Sequence, residues 1–323
     1  MGDISGAIYT TLEVLIAVAC CLGNVLVIWA VRASGCLKQP AFCFVVSLAV
    51  ADFLVGAVAI LMAVVVDRKV WTSFHGCLLM SCVVMVLIQS SVLSLLAIAV
   101  DRHLRVHIPL RYKRIITQRH SWAMVLACWL VAVVLGFIPM VGWYNHQTLA
   151  MMDNSTTIVC QFVSVMDFSY LVYFNFFGFT PLPLLVMLAL YAHIFHSIHK
   201  RLREKQARSA DSHAYFAKER RLAKSLLLVL VLFAACWLPL CLMNCVAFFS
   251  KPEDIPQAIL YGGILLTHAN SAVNPVVYAF KVPKIHQAYL QVYRKCLWGR
   301  NMQDWQGADS NNPTSGELIH TKI

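Results

Sequence analysis

Seven long apolar stretches constrain this chain more than any other feature: Thr11–Val31, Ala41–Val66, Cys77–Val100, Trp122–Trp143, Phe168–His193, Ser225–Phe249 and Ile259–Phe280. A helix rises about 1.5 Å per residue, so roughly 20 apolar residues cross about 30 Å of hydrocarbon. A spanning barrel strand would need only about 9–11 residues and would alternate polar with apolar. The expected fold is therefore all-α, a membrane-embedded bundle of seven transmembrane helices. Composition agrees. Of 323 residues, 60% are hydrophobic and 13% charged, against about 25% charged in a soluble domain. A water-soluble enzyme, a disordered tail protein and a secreted disulfide mini-domain are excluded on that ground.

Met1 to Thr10 lacks a basic n-region, and the first apolar run is too long for an h-region, so no separate signal peptide is expected. The start Met1-Gly2-Asp3-Ile4-Ser5-Gly6 resembles a myristoylation site, but Gly6 stands where Ser or Thr is required.

The net charge of +11 is a statement about topology. The loops after spans one, three and five carry 17 Lys and Arg, and the opposite loops carry 3 (Arg68, Lys69 and Lys251). The C-terminal segment adds six more on the rich side. The positive-inside bias assigns those loops and the C-terminus to the cytoplasm and the N-terminus to the outside. Some attraction to anionic membrane lipid follows, and a nucleic-acid partner does not.

That orientation also sorts the twelve cysteines. Ten fall within spans or on the cytoplasmic side, where they pack as small hydrophobes or stay reduced. Cys77, at the outer end of span three, and Cys160, in the second outer loop, share oxidising space and are expected to pair. Asn154-Ser155-Thr156 in the same loop is an N-glycosylation acceptor, consistent with an outside face.

Polar groups at membrane depth are costly, so each is a candidate for function. Glu13 lies in span one, Asp52 in span two and His268 in span seven, with Asn24, Ser91, Asn270, Ser271 and Asn274 as neutral companions. Asn270, Ser271 and Asn274 fall at i, i+1 and i+4, so one helix face can present all three. A buried carboxylate such as Asp52 needs a proton, a cation or a water cluster, and Na⁺ held by Asp52, Ser91, Asn270 and Asn274 is one such arrangement. Prolines interrupt the pattern at Trp237-Leu238-Pro239 and at Asn274-Pro275, where a missing backbone bond predicts bends. At the inner end of span three stands Asp101-Arg102-His103; Arg102 can pair with Asp101 or reach Glu219, latching span three to span six.

Asn24, Asp52, Asp101-Arg102-His103, Trp129, Cys236-Trp237-Leu238-Pro239 and Asn274-Pro275-Val276-Val277-Tyr278 together resemble the one-per-helix signature of rhodopsin-like G-protein-coupled receptors. The resemblance runs from Glu13 to about Cys296, in order. It implies an amphipathic eighth helix over Lys281 to Cys296, with Cys296 a palmitoylation candidate, so residues 1–296 form the receptor domain and 297–323 a polar, disordered tail. Longer strings, Leu95–Arg102, Arg111–Arg114, Cys160–Met166 and Thr267–Ser271, resemble adenosine receptors, nearest the third subtype, although Tyr173–Phe177 is closer to the first.

The resemblance implies a purine pocket. In it Phe162 stacks on adenine, Asn244 hydrogen-bonds the adenine edge, and Ser271 and His268 reach the ribose, with Glu13 orienting His268. Leu240, Ile264, Met85 and Leu171 line it, and Trp237 forms its floor. An amide can both donate to and accept from adenine, and an aromatic platform stacks on any purine. Asp101, Arg102, His103, Glu219, Tyr191 and Tyr278 would form the inner switch that couples to a heterotrimeric G protein of the inhibitory class. Arrestin and receptor kinases follow as further partners. The pattern departs from the family in three places: Ile88 replaces a Thr that meets the ribose, His103 replaces a Tyr, and Pro181 accompanies Pro183 in span five.

Other functions fit less well. An amine receptor needs a carboxylate in the outer half of span three, where Val84 and Met85 stand, and an opsin needs a Lys within span seven. A lipid or peptide receptor with a degenerate purine pocket is the alternative within the fold. A transporter or channel would need repeats or paired broken helices, and an enzyme a nucleophile–base pair or metal spacing; the sequence offers neither, and no cofactor beyond Na⁺ is expected.

Overall fold

Ser73 and Thr117 mark where two of the spans begin. Each accepts a hydrogen bond from the backbone amide three residues on, Gly76 at 3.1 Å and His120 at 3.4 Å. Both satisfy donors that a helix start leaves orphaned. The computed structural model describes residues 2–67, 70–151, 157–205, 210–250, 255–281, 285–287 and 289–290. In order they form α1 (Gly2–Ala33), α2 (Pro40–Leu54), α3 (Leu61–Asp67), β1 (Trp71–Thr72), α4 (Phe74–His107), α5 (Pro109–Ile115), α6 (Gln118–Gly136), α7 (His146–Ala150), β2 (Ile158–Val159), α8 (Phe162–Val165), α9 (Pro181–Lys205), α10 (Ala210–Phe249) and α11 (Gln257–Lys281).

Every expected span is helical, and the bundle is apolar outside and polar within. Ile8, Leu12, Leu15, Leu22, Leu26 and Trp29 of α1 point outward, while Glu13 and Asn24 of the same helix are fully buried. On α6, Trp122, Leu126, Leu130 and Val134 repeat that outward stripe. A soluble helix has the opposite polarity; here the solvent on the outside is hydrocarbon. Among the described residues six helices are long and apolar enough to cross a membrane. The seventh span, α11, is diluted by Asn270, Ser271 and Asn274, all of them buried inside the bundle.

Three departures from the expected spans have physical causes. Span four ends at Gly136 rather than Trp143, because Pro139 cannot continue the amide ladder and the chain turns through a 3₁₀ segment at Ile138–Val141. Span two is not uniformly α-helical: Val55–Ile60 widen into a π-turn between α2 and α3. Gly56 lies in that turn where a Cβ would come within 2.6 Å of the Cys20 Cβ, so the π-turn is seated directly against α1. Span five begins as a π-helix over Tyr170–Phe179, closed by the Thr180 amide on the Asn175 carbonyl at 2.8 Å. Pro181 follows, and its ring and missing N–H are incompatible with a regular α-turn there. By contrast, the helices run through Pro239 and Pro275 without ending. In hydrocarbon a broken helix would strand backbone groups, so each proline costs one bond and the helix persists.

Gly136 lets α6 lie directly on α4: a Cβ there would sit 2.6 Å from a Val86 methyl and 2.8 Å from the Val86 amide nitrogen. Behind it Trp129 donates its indole N–H to Ser47 (3.0 Å), and Ser47 shares a hydrogen bond with Ser94 (3.0 Å), so α2, α4 and α6 are tied by one polar chain. Of the expected eighth helix, residues 285–287 and 289–290 are helical, with Ile285 buried against the inner core. Cys296, Asn154 and the segment 297–323 lie outside the described residues.

Candidate functional site

The Cys77–Cys160 disulfide is formed, and it fixes the outer mouth of the bundle. Cys77 is in the first turns of α4, so the bond holds the second outer loop across the helix ends. A two-stranded antiparallel ladder continues the strap, with Trp71 opposite Val159 and Thr72 opposite Ile158. The Cys160 amide donates to the Val70 carbonyl at 2.9 Å. Phe162 follows two residues later at the start of α8. It packs on an outer cluster that includes Met85, Leu171 and Ile88, so four of the residues singled out for the purine pocket share one apolar patch.

On the other side of the mouth α10 and α11 approach closely. A Cβ on Gly263 would lie 2.0 Å from the Met243 Cε, so the methionine side chain occupies the space beside this glycine. Leu240 and Asn244 flank Met243 on α10, and Ile264 follows Gly263 on α11; Asn244 is half-buried there. Trp237, one turn deeper, stacks at a tilt on the buried Phe233 with ring centres 5.9 Å apart. Its buried indole N–H has no hydrogen-bond partner among the described residues.

His268 is held by the fully buried Glu13, whose two carboxylate oxygens lie 2.9 and 2.8 Å from the His268 Nδ1. A buried carboxylate left alone would be strongly destabilising, and the imidazole supplies its partner. Fixing Nδ1 in this way leaves Nε2 as the nitrogen that can meet a ligand.

A second polar centre lies deeper. Asp52, fully buried, accepts hydrogen bonds from Asn274 Nδ2 (2.7 Å) and from the hydroxyls of Ser271 (2.9 Å) and Ser91 (3.5 Å). Asn24 donates to the Ser271 carbonyl at 3.0 Å, and its own amide oxygen is buried with no hydrogen-bond partner among the described residues. Asn270 is buried beside this group on α11. The Ser271 hydroxyl, expected at the ribose, is thus turned to Asp52. Hard cations take oxygen ligands, and the carboxylate, the two hydroxyls and the unpartnered Asn24 oxygen make a donor set that fits one.

The inner end of α4 is a third centre. Arg102 Nη2 lies 3.4 Å from Asp101, and both side chains are nearly buried. Asp101 also accepts from the Tyr112 hydroxyl at 2.5 Å, while Arg105 donates to the same hydroxyl at 3.1 Å and lies over the Tyr112 ring. Burial, and after it the Asp101 charge, push the Tyr112 phenol up to about 12, so it stays a neutral donor that holds the carboxylate in place. Tyr191 and Tyr278 are buried in the inner core, and the Tyr278 hydroxyl has no partner among the described residues. The Glu219 side chain lies outside the described residues, so of the two latch partners only Asp101 is seen.

Two residues escaped the sequence reading. Gln89 on α4 donates to the Asn175 side chain at 2.8 Å, a tie between α4 and the π-segment of span five. The signal was present, since an amide in the middle of an apolar span needs a partner. Tyr112 stands within the string Arg111–Arg114, and nothing local foretells that it reaches back eleven positions to Asp101.

Residues 23–278 match the family model of the 7 transmembrane receptor (rhodopsin family). The chain is similar to adenosine receptor A3 of Ovis aries, 45% identical over 289 residues that cover 90% of this chain and 90% of the relative. It is 44% identical to adenosine receptor A3 of Bos taurus, over 91% of this chain and 92% of the relative. Against adenosine receptor A3 of Canis lupus familiaris the identity is 44%, over 88% and 90%.

Proposed function

We propose that the chain, which belongs to the adenosine receptors of the seven-transmembrane rhodopsin family, binds adenosine or a closely related purine nucleoside at one end of its bundle and drives nucleotide exchange on a heterotrimeric G protein at the other. It is a receptor and not an enzyme, and a multi-pass protein of the plasma membrane. The observation that carries the ligand reading is the buried Glu13–His268 pair, facing a mouth strapped by Cys77–Cys160 with Phe162 on its rim. In this reading Phe162 stacks on the base and Asn244 meets its polar edge. His268 Nε2 contacts a ribose hydroxyl, and Ser271 lies beneath, between ribose and Asp52. Leu240, Ile264, Met85 and Leu171 exclude water.

The Lys- and Arg-rich loops orient the receptor with its N-terminus outside and its C-terminus in the cytoplasm. Arg102 then faces the G protein, whose inhibitory class is proposed by analogy with the third subtype. Arrestin and receptor kinases would meet the same end. Asn154 as a glycan acceptor and Cys296 as a palmitoyl anchor complete the proposal. Ligand binding shifts the population toward a state with the inner ends of α9 and α10 displaced, by no more than its differential affinity for that state.

Membranes expressing the chain should bind a radiolabelled adenosine agonist saturably, and the agonist should accelerate guanine-nucleotide exchange on added inhibitory G protein. Absence of specific binding by surface-expressed protein would refute the ligand assignment. Na⁺, when bound, supplies a positive charge against Asp52, which Ser91, Asn270, Asn274 and Asn24 would surround. An ion trapped there stabilises the unliganded arrangement, so Na⁺ should lower agonist affinity in the parent. In Asp52→Asn agonist binding should become insensitive to Na⁺. Retained sensitivity would move the ion elsewhere.

A further inference from the structure

At the Arg102 end of the bundle stand three histidines that neither the ligand pocket nor the Asp52 centre uses. His103 and His107 are one turn apart on α4, on the same helix face. His193 faces them from α9. The ring centres are 4.3 Å apart for His103 and His107, 4.3 Å for His107 and His193, and 5.1 Å for His103 and His193. One nitrogen from each ring can be chosen so that all three lie within 4.8 Å of one another. We propose that His103, His107 and His193 form a binding site for a zinc-class transition-metal ion that joins α4 to α9.

The donor set selects the metal class. Three imidazoles and no thiolate suit zinc, copper, nickel or cobalt, whereas calcium and magnesium require oxygen ligands. Zinc accepts three histidines and keeps a fourth position for water or for a side chain of a docked partner. One ring lies at the surface of the bundle: His193 is exposed, while His103 and His107 are half-buried. The His103 Nδ1 is buried with no hydrogen-bond partner among the described residues, so this nitrogen is not engaged elsewhere. The His107 Nε2 meets the Ser197 hydroxyl at 3.1 Å, the kind of second contact that fixes the ring orientation of a metal-bound histidine. Arg102 and Arg105 lie along the same helix; Arg102 pairs with Asp101, and Arg105 donates to the Tyr112 hydroxyl.

Binding would change the geometry in a definite direction. Zinc–nitrogen bonds of about 2.0–2.1 Å place tetrahedral ligand nitrogens roughly 3.4 Å apart. The rings must turn out of their stacked arrangement so that one nitrogen of each faces the ion. The ion therefore clamps the inner end of α9 beside Arg102. Resting on the receptor reading, that clamp opposes the displacement of α9 that coupling requires, and zinc lowers agonist-stimulated nucleotide exchange.

The test uses the full chain, purified in detergent and stripped of metal with a chelator. Co²⁺ serves as the optical probe, and Zn²⁺ is titrated in competition with a fluorescent indicator. One tight site with an imidazole-type cobalt spectrum is expected in the parent. His193→Ala, at an exposed ring, should weaken it at least tenfold while agonist binding is kept, and His193→Cys should restore it. Equal metal affinity in the parent and His193→Ala overturns the site. Exchange assays then read the clamp. Inhibition by Zn²⁺ in the parent and not in His193→Ala supports it, and equal exchange with and without Zn²⁺ overturns the clamp. If agonist neither binds nor stimulates exchange in any variant, the receptor reading fails, and the metal titration still decides the site.

Discussion

Asn244→Ala should weaken binding of an adenosine agonist by about ten- to a hundredfold in membranes with unchanged surface expression. The asparagine amide offers one donor and one acceptor, the complement of the adenine edge. Such a bidentate contact discriminates by roughly 1–3 kcal/mol, and each 1.4 kcal/mol is about tenfold. With alanine there, the polar edge of the base would face Leu240 and Ile264 without a partner. Ile88→Thr should act in the opposite direction. A threonine hydroxyl at that position of α4 adds one hydrogen bond of about 0.5–1.5 kcal/mol, so agonist affinity should rise by about tenfold at most. Saturation binding on the two variants and the parent reads both. An Asn244→Ala protein with parental affinity would sink the purine pocket as drawn, whatever Ile88→Thr does.

The disulfide carries the second large effect. Cys77→Ser should leave agonist binding undetectable, with the surviving protein unfolding at a lower temperature. The bond closes a loop of 83 residues in sequence separation, for which chain entropy alone allows roughly 4.5 kcal/mol. Because the helices within that loop are held by the bilayer in either state, the measured loss should fall below that figure. The effect on the site is more direct. Phe162 is two residues from Cys160, and without the bond the loop loses its covalent tie to α4 and keeps the short β1–β2 ladder, the Cys160 amide and its apolar packing. Cys160→Ser should match Cys77→Ser, and the double variant should be no worse than either single one, since all three remove the same bond. Thermal unfolding and radioligand binding decide it: parental binding in both single variants would show that the strap does not hold the pocket.

The departures from the family pattern bear on these results unevenly. Ile88 packs in the outer apolar cluster with Met85 and Leu171, so the pocket wall is more apolar there than a threonine would make it. His103 does not disturb the Arg102–Asp101 pair, which is intact and braced by Tyr112. The extra Pro181 has the largest structural consequence, since the whole outer part of span five above it is wound as a π-helix. That winding brings Asn175 to Gln89, and it sets the bundle wall next to Leu171.

How much could be read without coordinates follows from the physics of each feature. The seven spans were legible because hydrocarbon thickness is a fixed length, and apolar runs of that length have few other uses. The Cys77–Cys160 pair was legible because topology left two cysteines in oxidising space. Asp52 and Glu13 stood out because a carboxylate among apolar residues is never incidental. The family resemblance already paired Glu13 with His268, but the tertiary structure decided the remaining partners. Ser271 turns to Asp52, and Tyr112 folds back onto Asp101. It also decided where span two widens into a π-turn, because Gly56 is seated against Cys20 of α1, whereas Pro139 and Pro181 act locally through their missing N–H. The three histidines of α4 and α9 could not be seen as a group at all. Hydrophobic length is a property of consecutive residues, whereas a hydrogen bond, a metal site or a close helix contact depends on residues that only the folded chain brings within a few ångströms.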